Sequence, residues 1–306
     1  LTKFKNKFAY YLAIFAMVFG STFGTFNAVN AADVAMTNSG SLATGDIAAG
    51  SRLVAAADAE TNAIAITDGD ISVIGIVNAA GAVDLVITVT DGNANGTVTV
   101  TGDILATSGN ITITASADGT LFDIQGNFTE SGEVGVINLD GALVAAAADV
   151  AQFSGTGKNI DAIIEGVGAL DGIVQLTGST EFDDTVGASN AVGKITTAAD
   201  ASGDFNGAVD AGIITNLGTI IVEGALGVNT FTNSGTATLN ALVTNVAAGD
   251  EAAVIMHTTD SILNLNASGN ISQDMIITAT TDGFGTINIF DGTDDEAGGV
   301  TTIAAD

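Results

Sequence analysis

The chain has no cysteine, no proline and no tryptophan, and after position 31 its only basic residues are Arg52, Lys158 and Lys194. Without cysteine no disulfide closes a loop, so stability must come from packing and backbone pairing. Without proline, every residue keeps a backbone N–H, as parallel ladders require of their interior strands. Aromatics are scarce beyond position 31, where eight phenylalanines remain and both tyrosines are already past. A core there has to be built from Val, Ile, Leu and Ala, and the rings that usually stack on sugars are missing. The shortage of Lys and Arg excludes nucleic acid as a partner, because phosphates need cationic side chains to displace their counterions.

What is present divides in two. Residues 1–31 carry Lys3, Lys5 and Lys7, an apolar run over residues 8–19, and a small-residue end at Val29-Asn30-Ala31. Twelve apolar residues are too few to span a bilayer comfortably. The pattern predicts a signal peptide cut before Ala32, leaving no retained membrane span. Residues 32–306 would then hold three bases against 35 acids, a charge of −32. Such a surface stays soluble in salty medium, where screening shortens repulsion from about 8 Å at 0.15 M to about 3 Å at 1 M. High charge also accompanies disorder, but an apolar content of 47% argues for a packed core.

Within residues 32–306 one short pattern keeps returning. Gly96-Thr97-Val98-Thr99-Val100 is followed by Gly109-Asn110-Ile111-Thr112-Ile113, and later by Gly218-Thr219-Ile220-Ile221-Val222 and Gly235-Thr236-Ala237-Thr238-Leu239. Each run is rich in β-branched residues, alternates in polarity and is bounded by Gly, Asn, Asp or Ser, which predicts short strands. Successive openings are 13 residues apart in the first case and 17 in the second. Only residues 143–150 have a helical composition, and they fit a tight small-residue turn equally well. Strands repeating over some 270 residues with few aromatics predict an all-β fold, a parallel β-helix or β-solenoid of irregular repeats, with tandem β-sandwiches as the alternative.

Candidate chemistry is thin. His257, in VIMHTTDSI, is the sole histidine; Asp260 and Ser261 adjoin it, but triad members meet through the fold and not through sequence adjacency. Asp183-Asp184 and Asp294-Asp295-Glu296 offer the paired carboxylates a glycosidase needs, in turn-like surroundings where solvated charge is the ordinary state. The nearest approach to a metal site is Asp91-Gly92-Asn93-Ala94-Asn95-Gly96, which follows the start of a calcium loop. Asp91, Asn93, Asn95 and Asp103 are its candidate ligands. The closing Glu is replaced by Gly102, and the flanks read as strands, so a polar turn is the competing interpretation. Any calcium would be structural; no catalytic residue and no other cofactor is assigned.

Residues 172–240 contain Gly193-Lys194-Ile195-Thr196, Phe205-Asn206-Gly207-Ala208-Val209 and Phe231-Thr232-Asn233-Ser234-Gly235-Thr236-Ala237-Thr238-Leu239-Asn240. This region resembles the repeats of bacterial β-strand-repeat surface proteins, namely autotransporter passengers such as the rickettsial outer-membrane antigens. S-layer-like proteins are a related comparison. The resemblance implies an exported, non-enzymatic structural protein of the cell surface, an adhesin stalk or surface-layer component, in the extracellular space or on the outer cell surface. Expected partners are cell-envelope components, further copies in an assembly, or a host or neighbouring cell surface. In that family a C-terminal barrel often tethers the passenger. No barrel pattern is legible here, so the chain reads as part of a longer protein or as a stand-alone component. The alternative function is an extracellular polysaccharide-active β-helix enzyme.

Overall fold

Residues 96–115 make one complete turn of the chain. Thr97–Val100, Ile104–Ala106 and Ile111–Ala115 are three short strands that run along three successive faces of a coil. In this computed structural model the described residues are 33–36, 40–42, 50–55, 62–66, 70–78, 84–89, 96–107, 109–115, 119–131, 134–141, 148–241, 243–246, 252–266, 275–280, 285–289 and 301–304. The expected signal peptide, the acids at 294–296 and residues 143–147 lie outside them. Val150, the last residue of the possible helical segment, opens a strand, and all the described elements are strands.

Every described strand except the last, Thr301–Ala304, pairs in parallel with its counterpart one coil away. On the first face the register runs Thr97↔Leu121↔Val150↔Ile173↔Lys194↔Ile213↔Thr230↔Ala253↔Ile276. On the second it runs Ile104↔Phe128↔Ile160↔Phe182↔Phe205↔Val222↔Leu239↔Leu265↔Ile289. The third face begins with Gly40–Leu42 and continues through Asn62–Ile66, Leu85–Val89, Ile111–Ala115, Gly135–Leu139 and Ile163–Gly166. It narrows to a single bridge at Val186 and then joins the next first-face strand in the eight-residue Val209–Asn216 and Leu226–Asn233. The result is a parallel β-solenoid of about eight turns. Parallel pairing of consecutive coils excludes tandem sandwiches, whose sheets are antiparallel. The one antiparallel pair among the described strands is Thr286–Ile289 with Thr301–Ala304.

Strand alternation sends one side of every face inward. Val98 and Val100 are buried, while Thr97 and Thr99 stay half-buried on the outside. Six phenylalanines, at 122, 128, 153, 182, 205 and 231, are fully buried. Phe182 stacks on Phe205 with centroids 4.7 Å apart, and Phe153 meets Phe182 edge-on at 5.0 Å. Each such pair adds about 0.5–1.5 kcal/mol beyond the area it buries. Phe153, Phe182 and Phe205 thus form a contiguous internal column of rings.

Glycine marks one corner for a steric reason. Gly102, Gly126, Gly155, Gly178, Gly218 and Gly235 each lie between a first-face and a second-face strand. A Cβ on Gly126 would be driven into the carbonyl oxygen of Gly102, and one on Gly235 into that of Gly218. Stacked coils bring these backbones too close for any side chain. Just before the corner, buried polar residues close the turn. The Asn216 Nδ2 donates to Asn233 Oδ1 at 2.8 Å, and the Asn233 Nδ2 donates to the Ile262 carbonyl at 2.8 Å.

The irregular repeat now has an explanation. The step of 17 residues is a true coil, since Thr219 pairs with Thr236. The step of 13 is not, because Gly96 and Gly109 precede strands on different faces of the same coil. Along the first face the offset between coils varies from 29 residues, Leu121 to Val150, down to 17, Ile213 to Thr230. From Leu121 to Ile213 loops absorb the difference and leave the strand register intact, whereas nearer the start the register slips between Ser51 and Arg52.

Candidate functional site

The outer side of the second face carries a ladder of carboxylates and amides. Asn159, Glu181, Asp204, Ile221, Thr238, Asn264 and Asn288 share one outward register, coil after coil. Two residues further along, Asp161, Asp183, Asn206, Glu223, Asn240 and Asn266 form a second column. Asp183, Asn206, Glu223, Asn240 and Asn266 each donate a backbone N–H to the carbonyl of the last residue of the preceding coil's strand, as Asn206 does to Phe182 at 2.9 Å, whereas Asp161 donates to Phe128, the first residue of its strand. The columns are adjacent because the intervening residue, such as Phe182 or Phe205, points into the core.

The amides tie the carboxylates together. Asn206 Nδ2 donates to Glu181 Oε1 at 3.0 Å and to Asp183 Oδ1 at 2.7 Å. Asn159 Nδ2 donates to Asp183 Oδ2 at 2.6 Å. Further along, Asn266 donates to Asn240 and Asn288 to Asn264. Four acids, Glu181, Asp183, Asp204 and Glu223, gather over three coils. Burial, then the charges of Glu181, Glu223 and Asp183, hold the Asp204 carboxyl above the ordinary carboxylate range. Beside them is a shallow depression of about 270 Å³ lined by Lys158, Asn159, Ser179, Glu181, Ser202 and Asp204. Its lining can accept hydrogen bonds from hydroxyl groups and draws cations toward the face.

A second depression, about 300 Å³, lies where the third face turns into the first, lined by Leu170, Ser189, Asn190, Asn229 and Val246 among others. Leu170 there adopts φ 66°, a conformation that bulky side chains rarely take. Its lining carries no charge.

Of the four calcium candidates, Asp91, Asn93 and Asn95 lie outside the described residues. Asp103 is described, and its Oδ1 accepts hydrogen bonds from the Asn127 backbone N–H at 2.9 Å and from Asn127 Nδ2 at 3.0 Å, one coil further on. Among the described residues no group of three or more His, Cys, Asp or Glu is arranged to hold a metal ion. His257 is exposed at a corner, its backbone N–H donating to the Asn233 carbonyl. Ser261 is fully buried, and its hydroxyl donates to that same carbonyl at 2.8 Å. Asp184, beside Asp183, caps its own turn by accepting from the Thr185 N–H.

Sequence reasoning singled out Asp183 and missed Glu181, Asp204 and Glu223 as its neighbours. A usable signal exists in the triplets Asn159-Ile160-Asp161, Glu181-Phe182-Asp183, Asp204-Phe205-Asn206, Ile221-Val222-Glu223, Thr238-Leu239-Asn240 and Asn264-Leu265-Asn266. Each places an apolar residue before Asp, Asn or Glu. Compared with family models, curated proteins and solved structures, the chain has no match in any of the three.

Proposed function

We propose that the protein is an exported structural component of a bacterial cell surface, an adhesin-type passenger or surface-layer element, whose task is presentation and not catalysis. The observation that carries this is the coil-upon-coil stacking of short parallel strands among the described residues, with side chains suited to contact between neighbouring coils. Buried phenylalanines stack, corner glycines let backbones meet, and amides bridge neighbouring coils. Nearest-neighbour architectures of this kind extend by adding coils, which suits a spacer or display element. The acidic exterior keeps such a surface soluble and discourages contact with other anionic surfaces. The basic, apolar and small-residue succession of residues 1–31 supports export. The test is fractionation of producing cells with mass spectrometry of the protein's amino terminus. Recovery outside the cytoplasm with a terminus at Ala32 agrees with the proposal; an intact terminus in the cytoplasm overturns it.

One observation favours a second reading. Glu181, Asp183, Asp204 and Glu223 converge on an open face beside hydroxyls and a lysine, as a polysaccharide-active β-helix enzyme would require. Release of reducing ends from a panel of neutral and acidic glycans, abolished by Glu181→Gln or Asp204→Asn, would establish that reading in place of the first.

A further inference from the structure

The charge is distributed unevenly over the coils. The outer side of the second face holds the acidic ladder. The outer side of the first face, from Thr97 to Thr278, presents two columns with one acid, Asp123, and one base, Lys194. Its leading column runs Thr97, Leu121, Val150, Ile173, Lys194, Ile213, Thr230, Ala253 and Ile276, with Ile213 37% exposed and Ile276 46% exposed. The flanking column is mainly Thr and Gln. The third face has a similar outward column at Val86, Thr112, Val136 and Ile163, but it ends where that face shrinks to the bridge at Val186.

We infer that the outer first face is a self-association surface, and that its occupant is a second copy of this chain packed face to face and antiparallel along the coil axis. In a chain of net charge −29, two copies meet with less repulsion through these two columns, whose one acid, Asp123, is matched by Lys194, than through the acidic ladder. A twofold axis between the strands Val150–Phe153 and Asp171–Leu176 makes the contact self-complementary. Val150 and Ile173 of one copy then face Ile173 and Val150 of the other. The same operation exchanges the strand Leu121–Ile124 with Val192–Thr197, so each Lys194 lies over Leu121 with its ammonium group toward Asp123 of the other copy. Asp123 is a preorganised acceptor, held by Ser154 Oγ at 2.6 Å, Gln125 Nε2 at 2.8 Å and Gln152 Nε2 at 3.3 Å. Six strands spaced about 4.8 Å apart and about 13 Å wide bury less than the roughly 1,000 Å² that stable specific pairs need. The association is therefore weak in dilute solution and strengthens where copies are concentrated. Screening relieves the mutual repulsion of two bodies of charge −29 more than it weakens the two Lys194–Asp123 pairs, so the association strengthens with salt.

This inference rests on the structural reading of the protein, yet it fails separately, because a monomeric protein can still be exported and displayed. The experiment uses the absence of native cysteine. Gln175→Cys, next to the proposed axis, is compared under mild oxidation with Asn206→Cys on the acidic ladder, at low and high salt. The expected result is a covalent dimer from Gln175→Cys only, increasing with salt and reduced at least severalfold by adding Ile173→Asp. Sedimentation of the cysteine-free protein at near-millimolar concentration is expected to show the same salt-promoted dimer, so a poorly folding variant does not remove the test. Equal cross-linking at both positions, or a monomer at every concentration and salt level, overturns the inference.

Discussion

The carboxamide of Asn216 donates to that of Asn233 one coil further on at 2.8 Å, and both residues are completely buried. The pair does not stand alone. Asn216 also donates to the Thr236 carbonyl and accepts from the Gly218 N–H, while Asn233 reaches the Ile262 carbonyl. One side chain thus satisfies backbone groups in its own coil and the next, at the corner where ladder pairing is interrupted.

Removing that link leaves buried acceptors without donors. Asn233→Ala is expected to cost about 1–3 kcal/mol, the penalty for unsatisfied buried polar groups. Thr232→Ala, one residue earlier and outward-facing, is expected to change little. Denaturant unfolding of the two variants checks the contrast.

The corner column predicts an effect of the opposite kind, from adding atoms. In Gly126→Ala the new methyl group collides with the Gly102 carbonyl and the Asp103 N–H region of the neighbouring coil. Forced overpacking of this sort costs about 1–3 kcal/mol. A melting temperature equal to that of the parent would show that the coils separate more easily than the stacking implies.

The strands and their inward residues were legible because period-two alternation is local. It marks Val98, Val100, Ile111 and Ile113 without knowledge of the fold. The coil length was not legible, since strands within a coil resemble strands in adjacent coils. Thr97 and Ile111 look like successive repeats, yet Thr97 pairs with Leu121 and Ile111 with Gly135. The acidic ladder was hidden for the same reason. Glu181, Asp204 and Glu223 are 23 and 19 residues apart, and only the changing coil offset brings them together.

Within the internal column, Phe182 touches phenylalanines on two sides, Phe153 and Phe205. Phe182→Ala is expected to lose about 3–5 kcal/mol, as large-to-small changes of buried aromatics do. Glu181→Gln, its outward neighbour, retains an oxygen for Asn206 and removes a charge beside Asp204. It is expected to leave stability unchanged or slightly raised and to lower the Asp204 pKa, which carbon-detected NMR titration measures.

Glu130 predicts a pH dependence. Its carboxyl accepts the Gly135 N–H across the loop that links the second face to the third. Burial, with smaller contributions from Asp161 and Asp184, pushes it up from the usual 4.5 to about 7, against the lowering effect of the Gly135 hydrogen bond. A carboxyl raised in the folded state binds its proton more tightly there than when unfolded. Its stabilising contribution is therefore complete below pH 4.5 and is lost as pH rises through about 7. The melting temperature of the parent is expected to fall over that interval more than that of Glu130→Gln. Parallel pH profiles for the two proteins would contradict the assignment.

The proposed function makes this acidic solenoid a displayed structural element outside the cell. Antibody labelling of intact, unpermeabilised producing cells tests it most directly. Labelling at the cell surface, equal in intensity before and after permeabilisation, is expected. Labelling that appears only after the envelope is opened would contradict it.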